Sequence, residues 1–191
     1  MSGSADTTEE DHELIKRVAD GDRFALERLY AKHHVRVFRF IRRFESNEAT
    51  AEDLANDVFL DVWNQAAKFE GRSQVTSWFL SIARFKALSE RRKRRNVVDP
   101  DDALSKMADP ADDPEIVAQK SNKSEMLKMC IGALSEDHRV IVDLVYYHER
   151  SISEIAEILE IPQNTVKTRM FHARKNLSEI MKQNGVDRGW P

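Results

Sequence analysis

The sequence predicts an all-α protein: two small helical domains joined by a flexible acidic linker, the C-terminal domain containing a helix-turn-helix. Three observations carry that expectation. Glycine and proline are scarce, 6 and 5 in 191 residues, so little interrupts the helical spacing of the apolar residues. Five consecutive cations, Arg91 to Arg95, give way to a stretch dominated by Asp99, Asp101, Asp102, Asp109, Asp112, Asp113 and Glu115, with Pro100, Pro110 and Pro114 among them. Such a stretch cannot bury enough surface to fold alone. Finally, Ser151 to Leu177 reads as two short helices about a tight turn. The expected boundaries are a first domain at 1–95, a linker at 96–115 and a second domain at 116–191.

In chain order, the opening MSGSADTTEEDHE is polar and acidic, unlike a secretory signal, and no window approaches the ~18 apolar residues of a membrane span. The expectation is a cytoplasmic chain without membrane insertion. Glu13 to Val18 reads as a helix, broken at Asp20-Gly21-Asp22 by a glycine able to take positive φ. Phe24 to Phe44 is a long amphipathic segment with Leu26, Leu29, Tyr30, Val37, Phe38, Ile41 and Phe44 inward. His33 and His34, adjacent and so pointing apart, read as surface or boundary residues rather than metal ligands.

Thr50 to Phe69 is the next helix, with Thr50 and Asp53 as a loose capping box and Leu54, Val58, Val62 and Trp63 as its buried stripe. The stripe leaves Glu52, Asp53, Asn56, Asp57 and Asp61 outside. No lysine precedes Lys68 in this helix, so i,i+4 pairing does not explain the acids, and a basic protein partner does. After a turn at Glu70-Gly71-Arg72-Ser73, Thr76 to Arg95 changes character. Val75, Trp78, Phe79, Ile82 and Phe85 anchor its first half in the core, whereas Arg84, Lys86 and the arginine run make its far end positive. Cations beside aromatics suit single-stranded nucleic acid, the charges tracking phosphates and the flat faces accepting bases.

In the second domain the single cysteine, Cys130, falls in the helical pattern Met126, Leu127, Cys130, Ile131, Leu134 and reads as a small buried hydrophobe. A further helix starts near Ser135. Ser151 with Glu154 is a capping box, followed by Ile152, Ile155, Ala156 and Leu159 at helical spacing, and Pro162 ends that helix and suits the start of the next. The second helix sets Val166, Met170, Ala173 and Leu177 on one face and its cations largely off it, as in a DNA-reading helix-turn-helix. The turn lacks glycine; a left-handed Glu160 would cost about 1 to 2 kcal/mol. No glycine-rich phosphate loop, metal spacing or nucleophile-base pattern occurs, so no catalysis, metal or cofactor is expected.

Three blocks in order then carry a family resemblance: Ala51 to Trp63 (AEDLANDVFLDVW); Phe69 to Ser73 (FEGRS) leading to Ser77-Trp78-Phe79 and Ile82-Ala83-Arg84; and Glu154-Ile155-Ala156 with Thr165 to Arg169 (TVKTR). Together they resemble the sigma-70 family of bacterial RNA polymerase sigma factors, in its small extracytoplasmic function group, which keeps only the second and fourth conserved regions. The resemblance implies a promoter-specificity subunit, in a stress or envelope response, that binds core RNA polymerase through the β′ clamp helices and β flap and is held in check by an anti-sigma factor. It assigns Asp53, Asn56, Asp57 and Asp61 to polymerase docking. Ser73, Arg84, Phe85, Arg91, Arg92, Arg94 and Arg95 fall to the melted strand of the −10 element. For the duplex −35 element, Lys167, Thr168, Phe171 and His172 face base edges and Arg169, Arg174 and Lys175 hold phosphates. Phe85 stands where many members have asparagine, Ser89 where many have aspartate, and Asn56 where glutamine is usual. His172 replaces a frequent arginine, and Glu160 and Asn164 replace glycines common around the turn. The competing reading is an autonomous helix-turn-helix regulator whose first domain senses a signal or dimerises.

Overall fold

The computed structural model describes the backbone of residues 3–97 and 121–184 and the side chains of residues 9–95 and 125–184. The described residues contain helices and turns and no strand. They form two helical units. Of the expected linker, Asn96 and Val97 continue a helix and residues 98–115 lie outside the described residues.

The first unit comprises α1 (Gly3–Ala19), α2 (Arg23–Ile41), α3 (Glu48–Gln65) and α4 (Val75–Val97), with a 3-10 turn at Ala66–Lys68. The helix expected from Glu13 begins ten residues earlier, and the reason is tertiary. Glu10 accepts from Arg28 at 2.6 Å and from Lys32 at 3.0 Å, and Asp11 accepts from Lys32 at 2.6 Å, so this part of α1 is held on α2. Gly21 takes φ +88° at the α1–α2 turn. Asp22 then caps α2, one carboxylate oxygen accepting from the Phe24 and Ala25 amides at 2.9 and 3.2 Å. Its other oxygen takes Arg17, and these bonds, Arg17's first, hold the Asp22 carboxyl below the usual range.

α2 packs against α1, α3 and α4, burying Leu29, Val37, Phe40 and Ile41 against a core that includes Leu14, Ile15, Val58, Val62, Phe79 and Leu80. Tyr30 is more exposed than its place in the inward set suggests, at 37%. His33 corrects a second expectation: it is 3% exposed, with Nε2 2.8 Å from the Asp11 carboxylate and its ring edge-on to Phe79 at 5.4 Å. A buried histidine needs a polar partner, and here that partner lies on another helix. Burial pushes the Asp11 carboxyl up, but the bonds and charges of His33 and Lys32 outweigh it and hold it below the ordinary carboxylate range. The start of α3 is a third correction. Asn47, not Thr50, is the cap, accepting from the Thr50 amide at 2.9 Å, because an asparagine at this position satisfies the first free amides one turn earlier.

The second unit comprises α5 (Ser121–Gly132), α6 (Glu136–Val142), a π turn (Asp143–Tyr147), α7 (Ile152–Leu159) and α8 (Gln163–Gln183). Cys130, Leu134, Val142, Ala173 and Leu177 form its core cluster, with Met126, Ile131, Ile180 and Met181 packed on it. Ser135 caps α6 through the His138 amide. The Ser151 capping box is present in both halves: the Ser151 amide donates to Glu154 at 2.9 Å and the Glu154 amide donates to the Ser151 hydroxyl at 3.3 Å. α7 ends with Glu160 left-handed, φ +52°, while the Ile161 amide reaches Ala156 and the Glu160 amide reaches Glu157. That is a Schellman ending with glutamate in the glycine position. The turn is therefore an ordinary helix ending carried by a strained residue.

Candidate nucleic-acid interface

The outward side of α3 exposes Asp53, Asn56 and Asp57, with Asp61 half-buried. Leu60 joins them at 59% exposure, an apolar member of the face that acidic patterning alone overlooks although it lies off the buried stripe. The acids have a partner within the unit. Lys86 of α4 lies 2.9 Å from Asp61 and 3.9 Å from Asp57, so a cross-helix cation, invisible to i,i+4 counting, accounts for Asp61 and leaves Asp53 and Asp57 outermost. Asn56 accepts from the Tyr30 hydroxyl at 2.9 Å, and Tyr30 stacks on His34 at 4.5 Å. Burial first and the Glu52 charge second raise the Tyr30 phenol, so it stays a donor to Asn56.

Along α4 the expected nucleic-acid residues separate. Phe85, expected as a core anchor, is 69% exposed; Phe79, Leu80 and Ala83 fill the core instead, and Phe85 lies outside their arc. At about 100° per residue, Arg92 follows Phe85 by two full turns on the same face, with Arg84, Arg91 and Arg95 on the adjoining one. Arg92 and Arg95 are exposed, and Arg84 and Arg91 half-buried. Arg94 lies on the opposite side, where its guanidinium pairs with the buried Glu45 carboxylate and, at 3.6 Å, with Glu90. Six of the seven residues expected to meet the melted strand thus share one flank or its entry turn, Ser73 being half-buried just before the helix, and Arg94 does not.

On α8, Lys167, Phe171 and Arg174 recur at i, i+4 and i+7, and Thr168, His172 and Lys175 repeat that spacing one residue on, so six side chains cover two adjoining faces. All six are exposed, Phe171 at 65%. Arg169 stands apart, half-buried and 3.2 Å from Asp137 of α6. Two neighbours went unread in the sequence. The Arg174 Nε donates to the Tyr146 hydroxyl at 3.1 Å, and Lys175 pairs with Glu179 at 4.0 Å. An exposed helical face of three cations with a phenylalanine, a histidine and a threonine can hold phosphates and reach base edges in a major groove. Among the described residues no group of three or more His, Cys, Asp or Glu is arranged for a metal, and no described helix is long and apolar enough to cross a membrane.

Comparison with known proteins accounts for both units. Residues 29–97 match the family model for sigma-70 region 2 and residues 124–177 that for sigma-70 region 4. The chain is 27% identical over 185 residues to the RNA polymerase sigma-H factor of Pseudomonas aeruginosa, covering 92% of this chain and 96% of that protein. It is 28% identical over 166 residues to the RNA polymerase sigma factor YlaC of Bacillus subtilis, covering 85% and 95%. Among solved structures it is similar to the sigma factor RpoE in complex with the anti-sigma factor NepR from Bartonella quintana, with a TM-score of 0.69, 25% identity and coverage of 85% and 98%. CnrH in complex with the cytosolic domain of CnrY has the same fold, with a TM-score of 0.63, 20% identity and coverage of 91% and 98%. A region 2 match on the first unit also displaces the reading in which that unit senses a signal or dimerises. The exposed acidic face of α3, the aromatic and basic flank of α4 and the exposed basic face of α8 are thus carried by a chain that belongs to the sigma-70 family of RNA polymerase sigma factors, in its extracytoplasmic function group.

Proposed function

We propose that this chain brings core RNA polymerase to promoters through three surfaces: the α3 face on the β′ clamp helices, the Phe85 flank of α4 on the melted −10 strand, and α8 in the major groove of the −35 element. In this division residues 1–95 work as region 2, residues 96–115 as an acidic connector and residues 116–191 as region 4, the last also meeting the β flap. The observation that carries the proposal is the exposure, within one helical unit, of Asp53, Asn56 and Asp57 on one helix and of Phe85 with Arg92 on the next. An acidic face attracts a basic protein surface, and an aromatic among cations accepts an unstacked base while charge follows the backbone. Lys167, Thr168, Phe171 and His172 supply base-edge contacts and Arg174 and Lys175 phosphate contacts, with Arg169 at the flank. The chain performs no catalysis of its own, works in the cytoplasm and is held by an anti-sigma factor when idle, a reading supported by the complex of the similar sigma factor RpoE with the anti-sigma factor NepR.

Mixing the full chain with core polymerase and measuring run-off transcription on genomic promoters tests this. Promoter-dependent transcript is expected. Failure to co-purify with core enzyme, in a preparation free of inhibitor, removes the reading.

A further inference from the structure

Two arginines of α8 are held by neighbours of opposite chemistry. Arg169 meets a carboxylate, Asp137, at 3.2 Å, which offsets its charge. Arg174 meets a neutral phenol: its Nε donates to Tyr146 at 3.1 Å and its guanidinium carbon sits 5.9 Å from the centre of the Tyr146 ring. Tyr146 lies in the π turn, 28 residues before Arg174, and is 48% exposed. A phenol holds a guanidinium without neutralising it. It also engages Nε, so the two Nη groups keep the forked edge that meets phosphate oxygens.

We infer that Tyr146 is a positioning residue for promoter binding, orienting Arg174 so that its guanidinium meets a backbone phosphate of the −35 duplex already ordered. This rests on the proposed role of α8 and extends it to a residue outside the helix-turn-helix. An exposed arginine loses side-chain freedom when it binds phosphate; one already restrained loses less. The contact is to backbone, so it strengthens matched and mismatched −35 sequences alike.

The test uses the full chain reconstituted with core polymerase and a duplex promoter, comparing wild type, Tyr146→Phe, Arg174→Ala and the double variant across a salt series. Tyr146→Phe keeps the ring and removes the acceptor. It is expected to weaken binding about threefold to tenfold, the order of one exposed hydrogen bond, with the salt slope unchanged because the arginine charge remains. Arg174→Ala is expected to lower the slope by about one, and adding Tyr146→Phe to it should then cost nothing further. An equal loss from Tyr146→Phe in both backgrounds, or no loss from it where Arg174→Ala weakens binding, overturns the inference. A silent Arg174→Ala overturns it too, while base preference altered by Lys167 or His172 substitutions would leave the α8 reading intact. Absence of polymerase binding by the wild-type chain would instead remove the proposed function.

Discussion

Both units bury a histidine against an aspartate, and the two pairs are put to different structural use. His33 and Asp11 lie 22 residues apart and join α2 to α1 at 2.8 Å. His148 and Asp143 lie 3.2 Å apart within one turn of chain. The same contrast runs through the other polar ties. In the first unit, two of the long-range ties reach buried carboxylates, Lys32 to Asp11 and Arg94 to Glu45. In the second, the long-range ties run from α8 to Asp137, His138 and Tyr146 at or near its surface, while local bonds such as Arg150 to Glu154 shape the turn before α7. The difference implies that removing a long-range tie to a buried carboxylate from the first unit costs folding, and removing one of the surface ties from the second costs binding.

The largest effect expected from that contrast is in the first unit. His33→Ala leaves Asp11 buried without one of its two partners and should destabilise the unit by about 3 kcal/mol, read by urea unfolding. Tyr146→Phe and Arg174→Ala should stay within about 0.5 kcal/mol of wild type. Equal losses at His33 and Arg174 would break the comparison. Acid sharpens it. The Asp11 carboxyl is held below its ordinary value, so the stability it contributes is present above the unfolded carboxylate pKa of about 3.9 and is lost as pH falls through the lowered folded value. Asp11→Asn should remove that part of the acid dependence, seen as a flatter stability curve below about pH 4.

Next in size is the proposed docking face. Asp57→Lys reverses an exposed charge whose nearest cation, Lys86, is 3.9 Å away, so folding should hardly change. Core polymerase affinity should fall by about 2 kcal/mol, on the order of thirtyfold, measured by competition for core enzyme. Unchanged affinity would take α3 out of the docking surface. The exposed phenylalanines come third. Phe85→Ala should slow open-complex formation by the loss of about 1 to 2 kcal/mol of base stacking, followed by permanganate reactivity of unpaired thymines. Phe171→Ala should weaken closed binding and leave melting intact. If both act on the same step, the units do not divide promoter recognition as proposed.

Much of this fold was legible because its signals are local. The Ser151 and Glu154 box, Gly21, Pro162 and the burial of Cys130 each need only a few neighbouring residues, and all are found as read. Misreadings came from partners distant in sequence or from two local signals in competition. Nothing within a helical turn of His33 announces Asp11, and nothing near Arg94 announces Glu45, 49 residues away. Thr50 offers a cap, but Asn47 offers one a turn earlier. Phe85 follows Ile82 at core spacing, yet the stripe of α4 has rotated toward Leu80, Ala83 and Ala87, which only the packing of four helices decides. The candidate faces on α3 and α8 were readable as patterns; which of their charges are engaged by neighbours was not.

The smallest expected effect concerns the backbone. The first unit places glycine at its left-handed positions, Gly21 at +88° and Gly71 at +70°, whereas the second uses Glu149 at +54° and Glu160 at +52°. A side chain there costs about 1 to 2 kcal/mol over glycine, part of which is offset because glycine leaves the unfolded chain freer by about 0.4 to 1 kcal/mol. Glu160→Gly should therefore stabilise the second unit by about 0.5 to 1 kcal/mol, while Glu160→Val, branched at Cβ, should destabilise it. The Schellman bonds run through backbone and survive both changes, so α8 keeps its angle and promoter affinity should stay within twofold or so of wild type for the glycine variant. A glycine variant that melts lower than wild type would mean that the glutamate side chain stabilises the turn by more than its backbone strain, and the second unit would then be no more strained than the first.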